Sequence, residues 1–141
     1  MILLELCEVP VTYSIDKTRK LIRTSCIGPV TLPDIVDHFR KLKDDPECAG
    51  HLDVLLDVHE ADLLPESNQL RVVNSQVATV REKVVFGMCA IVANRDVMFG
   101  MMRMFAVFAE KNFRAVRVFR EPPDAESWLT SHGADDVGSL R

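Results

Sequence analysis

Apolar and polar positions alternate in Val11-Thr-Tyr-Ser-Ile15, with the period of two expected of a half-buried strand. Asp16-Lys-Thr-Arg19 is a polar turn, and Lys20–Ile27 reads as a second strand. The short connection predicts an antiparallel hairpin, ended by Gly28-Pro29. The period then lengthens. Ile35, Val36, Phe39 and Leu42 recur at helical spacing behind Thr31-Leu-Pro-Asp34, where the Thr31 hydroxyl can accept an orphan helix N–H and Asp34 holds the capping-box position. Asp45-Pro46 stops that helix. Leu52–Val58 is short and rich in branched residues, the pattern of a buried strand. A loop, His59–Pro65, leads to a helix from about Glu66 or Ser67 to Lys83, with Leu70, Val73, Val77 and Val80 as its stripe. Val84–Val92 is a further buried strand, Arg95–Asn112 a helix, Ala115–Phe119 a last strand, and Asp124–Ser131 a last helix with Trp128 and Leu129 inward.

The order is β-β-α-β-α-β-α-β-α. Strands alternating with helices imply parallel pairs joined by right-handed crossovers, and the opening hairpin makes the sheet mixed. The expected architecture is a single α/β domain over 1–132, with packed helices on a mixed, mostly parallel sheet and a Gly-, Asp- and Ser-containing tail at 133–141 that is expected to be flexible.

The helix from Arg95 departs from the ordinary pattern. At 100° per residue, Asp96, Gly100, Arg103 and Glu110 form one polar stripe, and apolar residues fill an arc of roughly 220°, against the ~100° of a typical surface helix. Such a helix is either packed on two sides or keeps a face for a partner, a lipid or another apolar ligand, a use that suits adaptable Met side chains. Met98 and Met102, with Phe99 beside them, are the expected exchangeable side, and Arg103 sits alone in the apolar helix.

Composition narrows the function. The chain of 141 residues carries 17 Lys and Arg against 21 Asp and Glu, a formal net charge of −4. A mildly acidic chain argues against phosphate-backbone binding, so no nucleic-acid partner is expected. The start, Met1-Ile-Leu-Leu-Glu5, lacks a basic region, and no apolar run approaches the ~20 residues of a membrane span. Cys7, Cys26, Cys48 and Cys89 show no metal-clip spacing, so reduced, mostly buried thiols in a cytoplasmic protein are expected. There is no Gly-rich phosphate loop, GxSxG or HExxH. No catalytic residue, metal or cofactor is assigned, and the protein is expected not to be an enzyme.

Leu21-Ile22, Gly28-Pro-Val-Thr31, Asp45-Pro46, Leu55-Leu-Asp57, Phe99-Gly-Met-Met-Arg-Met-Phe105, Val118-Phe-Arg120 and Trp128-Leu129, in that order, resemble the SpoIIAA-like branch of the STAS superfamily, the sulfate transporter and anti-sigma-factor antagonist domains. The resemblance spans about Val11 to Ser131 and implies a β-α sandwich around a mixed sheet of four or five strands. It also implies a protein-binding switch controlled by phosphorylation of a serine in an Asp-Ser-Ser-Gly type motif. Here Asp57 ends its strand, but the loop reads Asp62-Leu-Leu-Pro-Glu-Ser67-Asn68, with no Ser-Ser-Gly. This branch is also likened to CRAL-TRIO lipid-transfer domains, whose apolar pocket lies under a mobile helix.

The candidate residues follow. Ser67 is either a phosphoacceptor at a helix start or a plain N-cap. Asp57 and His59, with Glu60 and Asp62, mark a strand end, where open α/β sheets place ligands, though a solvated acidic loop is the simpler reading. Met98, Phe99, Met102 and Arg103 mark the candidate ligand or partner surface. The leading expectation is a non-enzymatic protein-interaction or regulatory module, with a homodimer as one form. The alternative is a CRAL-TRIO-like carrier of an apolar or amphipathic ligand, with peripheral membrane contact through helix 95–112.

Overall fold

The structure, a computed structural model, describes residues 9–133. The expected element order is borne out. Strands β1 (Val11–Asp16) and β2 (Leu21–Pro29) are followed by α1 (Leu32–Asp44), β3 (Gly50–Leu63), a 3₁₀ turn (Ser67–Gln69), α2 (Leu70–Val80), β4 (Val84–Val92), α3 (Asp96–Ala109), β5 (Ala115–Phe119) and α4 (Pro122–Trp128), which runs on into a π turn, Leu129–Gly133. Most of the expected tail, and the N-terminal residues including Cys7, lie outside the described residues.

The five strands lie in sequence order. β1 and β2 are antiparallel; β2–β3, β3–β4 and β4–β5 are parallel. Three consecutive right-handed crossovers, each stepping the same way along the sheet, must put their helices on one face. Accordingly α1, α2 and α3 bury Leu42, Val73, Val77, Met98, Met102 and Phe105 against Val11, Ile22, Cys26, Val58, Cys89 and Ile91. The other face carries Leu21, Leu55, Met88, Ala90 and Val92 under Ala125 and Leu129 of the short terminal segment. Strand pleat explains the division, since Leu21 and Ile22, or Ala90 and Ile91, are neighbours on opposite faces.

Local chemistry sets the boundaries. Lys20 takes a left-handed conformation (φ 55°) to close the hairpin, and the Arg19 backbone N–H donates to Asp16 Oδ1 at 3.0 Å. The Thr31 capping box forms, with the Thr31 N–H donating to Asp34 Oδ2 at 2.9 Å and Asp34 N–H to Thr31 Oγ1 at 3.4 Å. At the far end of α1 the Lys83 ammonium donates to the carbonyls of Lys43 and Asp45 at 2.6 and 2.9 Å. The β3–β4 ladder slips by one residue between Leu52 and Val54. Asp53 fills the irregularity by accepting the Met88 N–H at 2.8 Å, and a side chain at Gly87 would overlap the same carboxylate oxygen.

Two expectations about boundaries need correction. β3 extends to Leu63, so His59 to Asp62 are strand residues rather than a loop, held by pairing of Ile27 and Gly28 with Glu60 and Ala61. The helix expected from Glu66 or Ser67 begins as a 3₁₀ turn and becomes α-helical only at Leu70. Ser67 is therefore not a helix N-cap. It is the exposed first residue of the turn, and Glu66 precedes it as cap, its backbone N–H donating to Gln69 Oε1 at 3.2 Å.

Candidate functional site

Between the sheet and the three helices lies an apolar cavity of about 80 Å³. Its floor is Val11 of β1, Ile22, Thr24 and Cys26 of β2, Val54 and Leu56 of β3, and Phe86 and Cys89 of β4. Its roof is Ile35, His38, Phe39 and Leu42 of α1, Val73 and Val77 of α2, Phe105 of α3, and Phe113. The wall mixes the short side chains of Thr24, Cys26, Cys89, Val73 and Val77 with the large rings of Phe39, Phe86, Phe105 and Phe113. Burial pushes the Cys26 and Cys89 thiols up to about 12, with Asp57 and Asp53 respectively adding to it, so both line the wall as neutral groups.

His38 is the polar exception in the roof. It is 6% exposed, stands edge-on to Tyr13 (centroids 5.5 Å apart) and tilts against Phe39 (5.0 Å). Its Nδ1 is the one buried side-chain polar atom among the described residues without a hydrogen-bond partner. Burial lowers its pKa to about 4, Lys41 pushing the same way and Asp37 opposing. At neutral pH it is a neutral imidazole, with one donor and one acceptor nitrogen. Tyr13 is fixed from the other side by donating to Asp45 Oδ2 at 2.7 Å. Neither His38 nor the cavity was singled out by pattern. The helical stripe through Ile35, Phe39 and Leu42 passes one position from His38, and a histidine on that flank was the available signal.

The candidates chosen from sequence are placed elsewhere. Met98 and Met102 are 5% and 4% exposed and point into the core, so they are not the exchangeable side of α3. The exposed apolar positions are Val97 (75%), Met104 (43%) and Val107 (66%), which share a face with Asp96, Gly100 and Arg103. The wide arc arises because α3 packs on the sheet through one side and is flanked on both others. Asn74 of α2 donates to the Phe108 carbonyl at 3.1 Å, while Arg120 and Arg103 lie over the Phe99 ring at 4.2 and 6.0 Å. Arg95 donates to the backbone carbonyls of Ala61 and Asp62, tying the start of α3 to the end of β3.

Asp57 and His59 do come together. The His59 backbone N–H donates to Asp57 Oδ1 at 2.9 Å and His59 Nδ1 lies 2.5 Å from the same oxygen, a bond that raises the His59 pKa. The pair lies on the sheet face opposite the cavity, with Ser25 across from Asp57 on β2. On that face Glu126 of α4 accepts from Arg23 at 2.6 and 3.3 Å and from Arg19 at 3.4 Å, fastening the terminal helix to the hairpin. Among the described residues no three His, Cys, Asp or Glu gather as a metal site requires. Cys26, Cys48 and Cys89 are free and buried, and no helix there is long and apolar enough to cross a membrane.

No known family pattern matches the chain, and no curated protein matches it in sequence. Among solved structures it is similar to the crystal structure of an uncharacterised protein of the DUF3478 family, with a SpoIIAA-like fold, from Shewanella loihica PV-4. The two are 17% identical, the match covers 84% of this chain and 93% of that one, and the TM-score is 0.58. At that identity the likeness concerns architecture alone, and together with the five-stranded mixed sheet and its four helices it shows that the chain has a SpoIIAA-like fold.

Proposed function

We propose that the protein is a non-enzymatic binding module whose site is the cavity between the sheet and α1–α2, taking a small apolar or amphipathic molecule. The observation that carries this reading is the cavity itself: about 80 Å³ of space whose side-chain wall is apolar apart from Thr24 and His38. Protein interiors are packed to crystal density, and an unfilled space of this size has a cost in lost contacts that an apolar guest restores. Apolar cavities of about 150 Å³ stay dry and accept benzene, so a space about half as large suits a group of about three heavy atoms. A phospho-switch at Ser67 draws less support, because the residue sits on a 3₁₀ turn rather than at an α-helix N-terminus, where a phosphate meets several aligned N–H groups. The exposed stripe Val97–Met104–Val107 would serve a protein partner, but its chemistry specifies no particular occupant.

Titration with cyclopropane, followed by amide NMR, tests this reading. Saturable shifts confined to residues such as Thr24, Leu56, Val73, Val77 and Cys89 are expected. Shifts that grow linearly, or that appear on the α3 surface instead, would remove the cavity as the site.

A further inference from the structure

The sheet ends at β5, which pairs with β4 on one side; among the described residues no strand pairs with its other side. An edge strand presents backbone N–H and C=O groups that lack a sheet partner, and these are a template for a further strand. Ala115–Phe119 are half-buried or exposed throughout, whereas β4 buries most of its length. The charge along this edge is unlike that of the chain as a whole. Lys111 to Arg120 holds four cations and no acid in a protein of net charge −4, and Glu110 and Glu121 lie just beyond its two ends. Cations flank the edge on both faces of the sheet. On the α3 face, Arg103 and Arg120 lie over the Phe99 ring at 6.0 and 4.2 Å. On the α4 face, Arg117 lies over the Phe119 ring at 5.2 Å, and Trp128 packs against that ring. Arg120 is matched by Asp96 at 2.9 Å. Arg103 and Arg117 are exposed, and no carboxylate among the described residues forms an ion pair with either.

We propose that the outer edge of β5 accepts an extended acidic segment of a partner protein as a sixth strand, its backbone pairing with β5 and its carboxylates meeting Arg103 on one face and Arg117 on the other. The cavity plays no part in this surface, since β5 does not line it. In strand addition the main-chain hydrogen bonds supply affinity and the alternate side chains supply specificity. Successive residues of an added strand point to opposite faces, so acids at neighbouring positions reach both guanidinium groups. Charge also selects against a second copy of this chain, because two β5 edges brought together would oppose the same arginines. The other edge of the sheet offers no such match: β1 carries Thr12, Ser14 and Asp16 and no cation.

The experiment titrates the full chain with end-blocked hexapeptides at low salt and follows the backbone amides by NMR. The probe is Glu-Val-Glu-Glu-Val-Glu, which places acids on both faces of an extended strand. One control replaces every Glu by Gln. A second carries N-methyl groups on both valines, which lie on opposite edges of the strand, so whichever edge meets β5 is blocked. The acidic peptide is expected to give saturable shifts confined to Ala115–Phe119 and the adjoining residues of α3 and α4. The Gln peptide, and the acidic peptide with the Arg103→Glu/Arg117→Glu variant, are expected to bind roughly 3- to 10-fold more weakly, as for the loss of two exposed ion pairs. Both substitutions are on the surface, and an otherwise unchanged amide spectrum shows that the fold is kept. The N-methylated peptide is expected not to bind. Equal binding of the N-methylated peptide would show attraction to the arginines without strand pairing and overturns the proposal. Equal binding of the Gln peptide overturns the choice of an acidic partner. Shifts elsewhere, or no saturable shifts with the acidic peptide, overturn the site. Concentration-dependent shifts at Ala115–Phe119 in the protein alone would assign the edge to a second copy instead and overturn it as well.

Discussion

Val77→Ile is the substitution whose sign depends most directly on the cavity. Val77 is 4% exposed, sits on α2 and lines the roof. Adding a methylene at such a buried position in a filled core normally costs about 1–3 kcal/mol through overpacking. Here the space is present. An empty cavity of 80 Å³, at about 24 cal/mol per Å³, forgoes about 2 kcal/mol of contacts. One extra methylene placed in it recovers up to about 0.8 kcal/mol. Valine and isoleucine share β-branching, so helix propensity changes little. Urea unfolding of Val77→Ile is expected to show a higher midpoint with an unchanged slope, and a melting temperature raised by up to roughly 3 °C. Val80→Ile provides the control. It lies on the same helix, is fully buried and is not part of the cavity wall, so the same methylene there is expected to destabilise. If Val77→Ile loses stability as Val80→Ile does, the space is not real and the binding reading falls with it.

Three further outcomes follow from the packing. Met102→Gln is expected to lower stability by roughly 2–4 kcal/mol in denaturant unfolding, combining lost burial with an unpaired amide, whereas Val97→Gln and Val107→Gln on the exposed face should stay within about 0.5 kcal/mol; equal effects at 102 and 107 would contradict the orientation of α3. Gly87→Ala is expected to displace the Asp53 carboxylate from the Met88 N–H and cost about 1–3 kcal/mol, and an unchanged urea midpoint would show that Asp53 does not hold the β-irregularity. In acid, His38 works against the fold: its native pKa of about 4 lies below the unfolded value near 6.5, so stability is full above about pH 6.5 and falls as pH drops toward 4, by an amount on the order of 3 kcal/mol. His59 has the opposite sign, since its raised native pKa stabilises below about pH 6.5 and that contribution fades as pH rises through the raised value, but partial exposure keeps it small. A stability profile of His38→Phe between pH 4 and 7 should be flatter than that of the wild type, and an identical slope would refute the assignment to His38.

The fold was legible because its determinants are local and repeated. Period-two runs, the Thr31–Asp34 box, the Asp45-Pro46 stop and the branched runs at Leu52–Val58 and Val84–Val92 each act within a few residues, and alternation of strand and helix then restricts the topology. The site was less legible because it is a property of what fails to touch. The empty space depends on the combined volumes of side chains from β1–β4, α1, α2 and α3, and no single stretch of sequence records that sum. The same cause misplaced the active side of α3. Its arc is wide, but which part faces the sheet is set by the direction of the crossover, which buried Met98 and Met102 and left Val97, Met104 and Val107 outside. His59 to Leu63 read as a loop because Glu60 and Asp62 interrupt the apolar run, yet pairing of Ile27, Gly28 and Pro29 with Glu60, Ala61 and Leu63 keeps them extended, the extra residues at the register shifts lying on β3. Asp57 and His59 meet because residues two apart on a strand share a face.

Diffraction from crystals of the full chain held under xenon pressure tests the central claim most directly, because xenon occupies dry apolar cavities without needing a polar partner. A xenon site is expected between β2–β3 and α1–α2, in contact with Thr24, Leu56, Val73, Val77 and Cys89, and it should weaken in Val77→Ile. Xenon absent from that space, or side chains closed over it, would contradict the account.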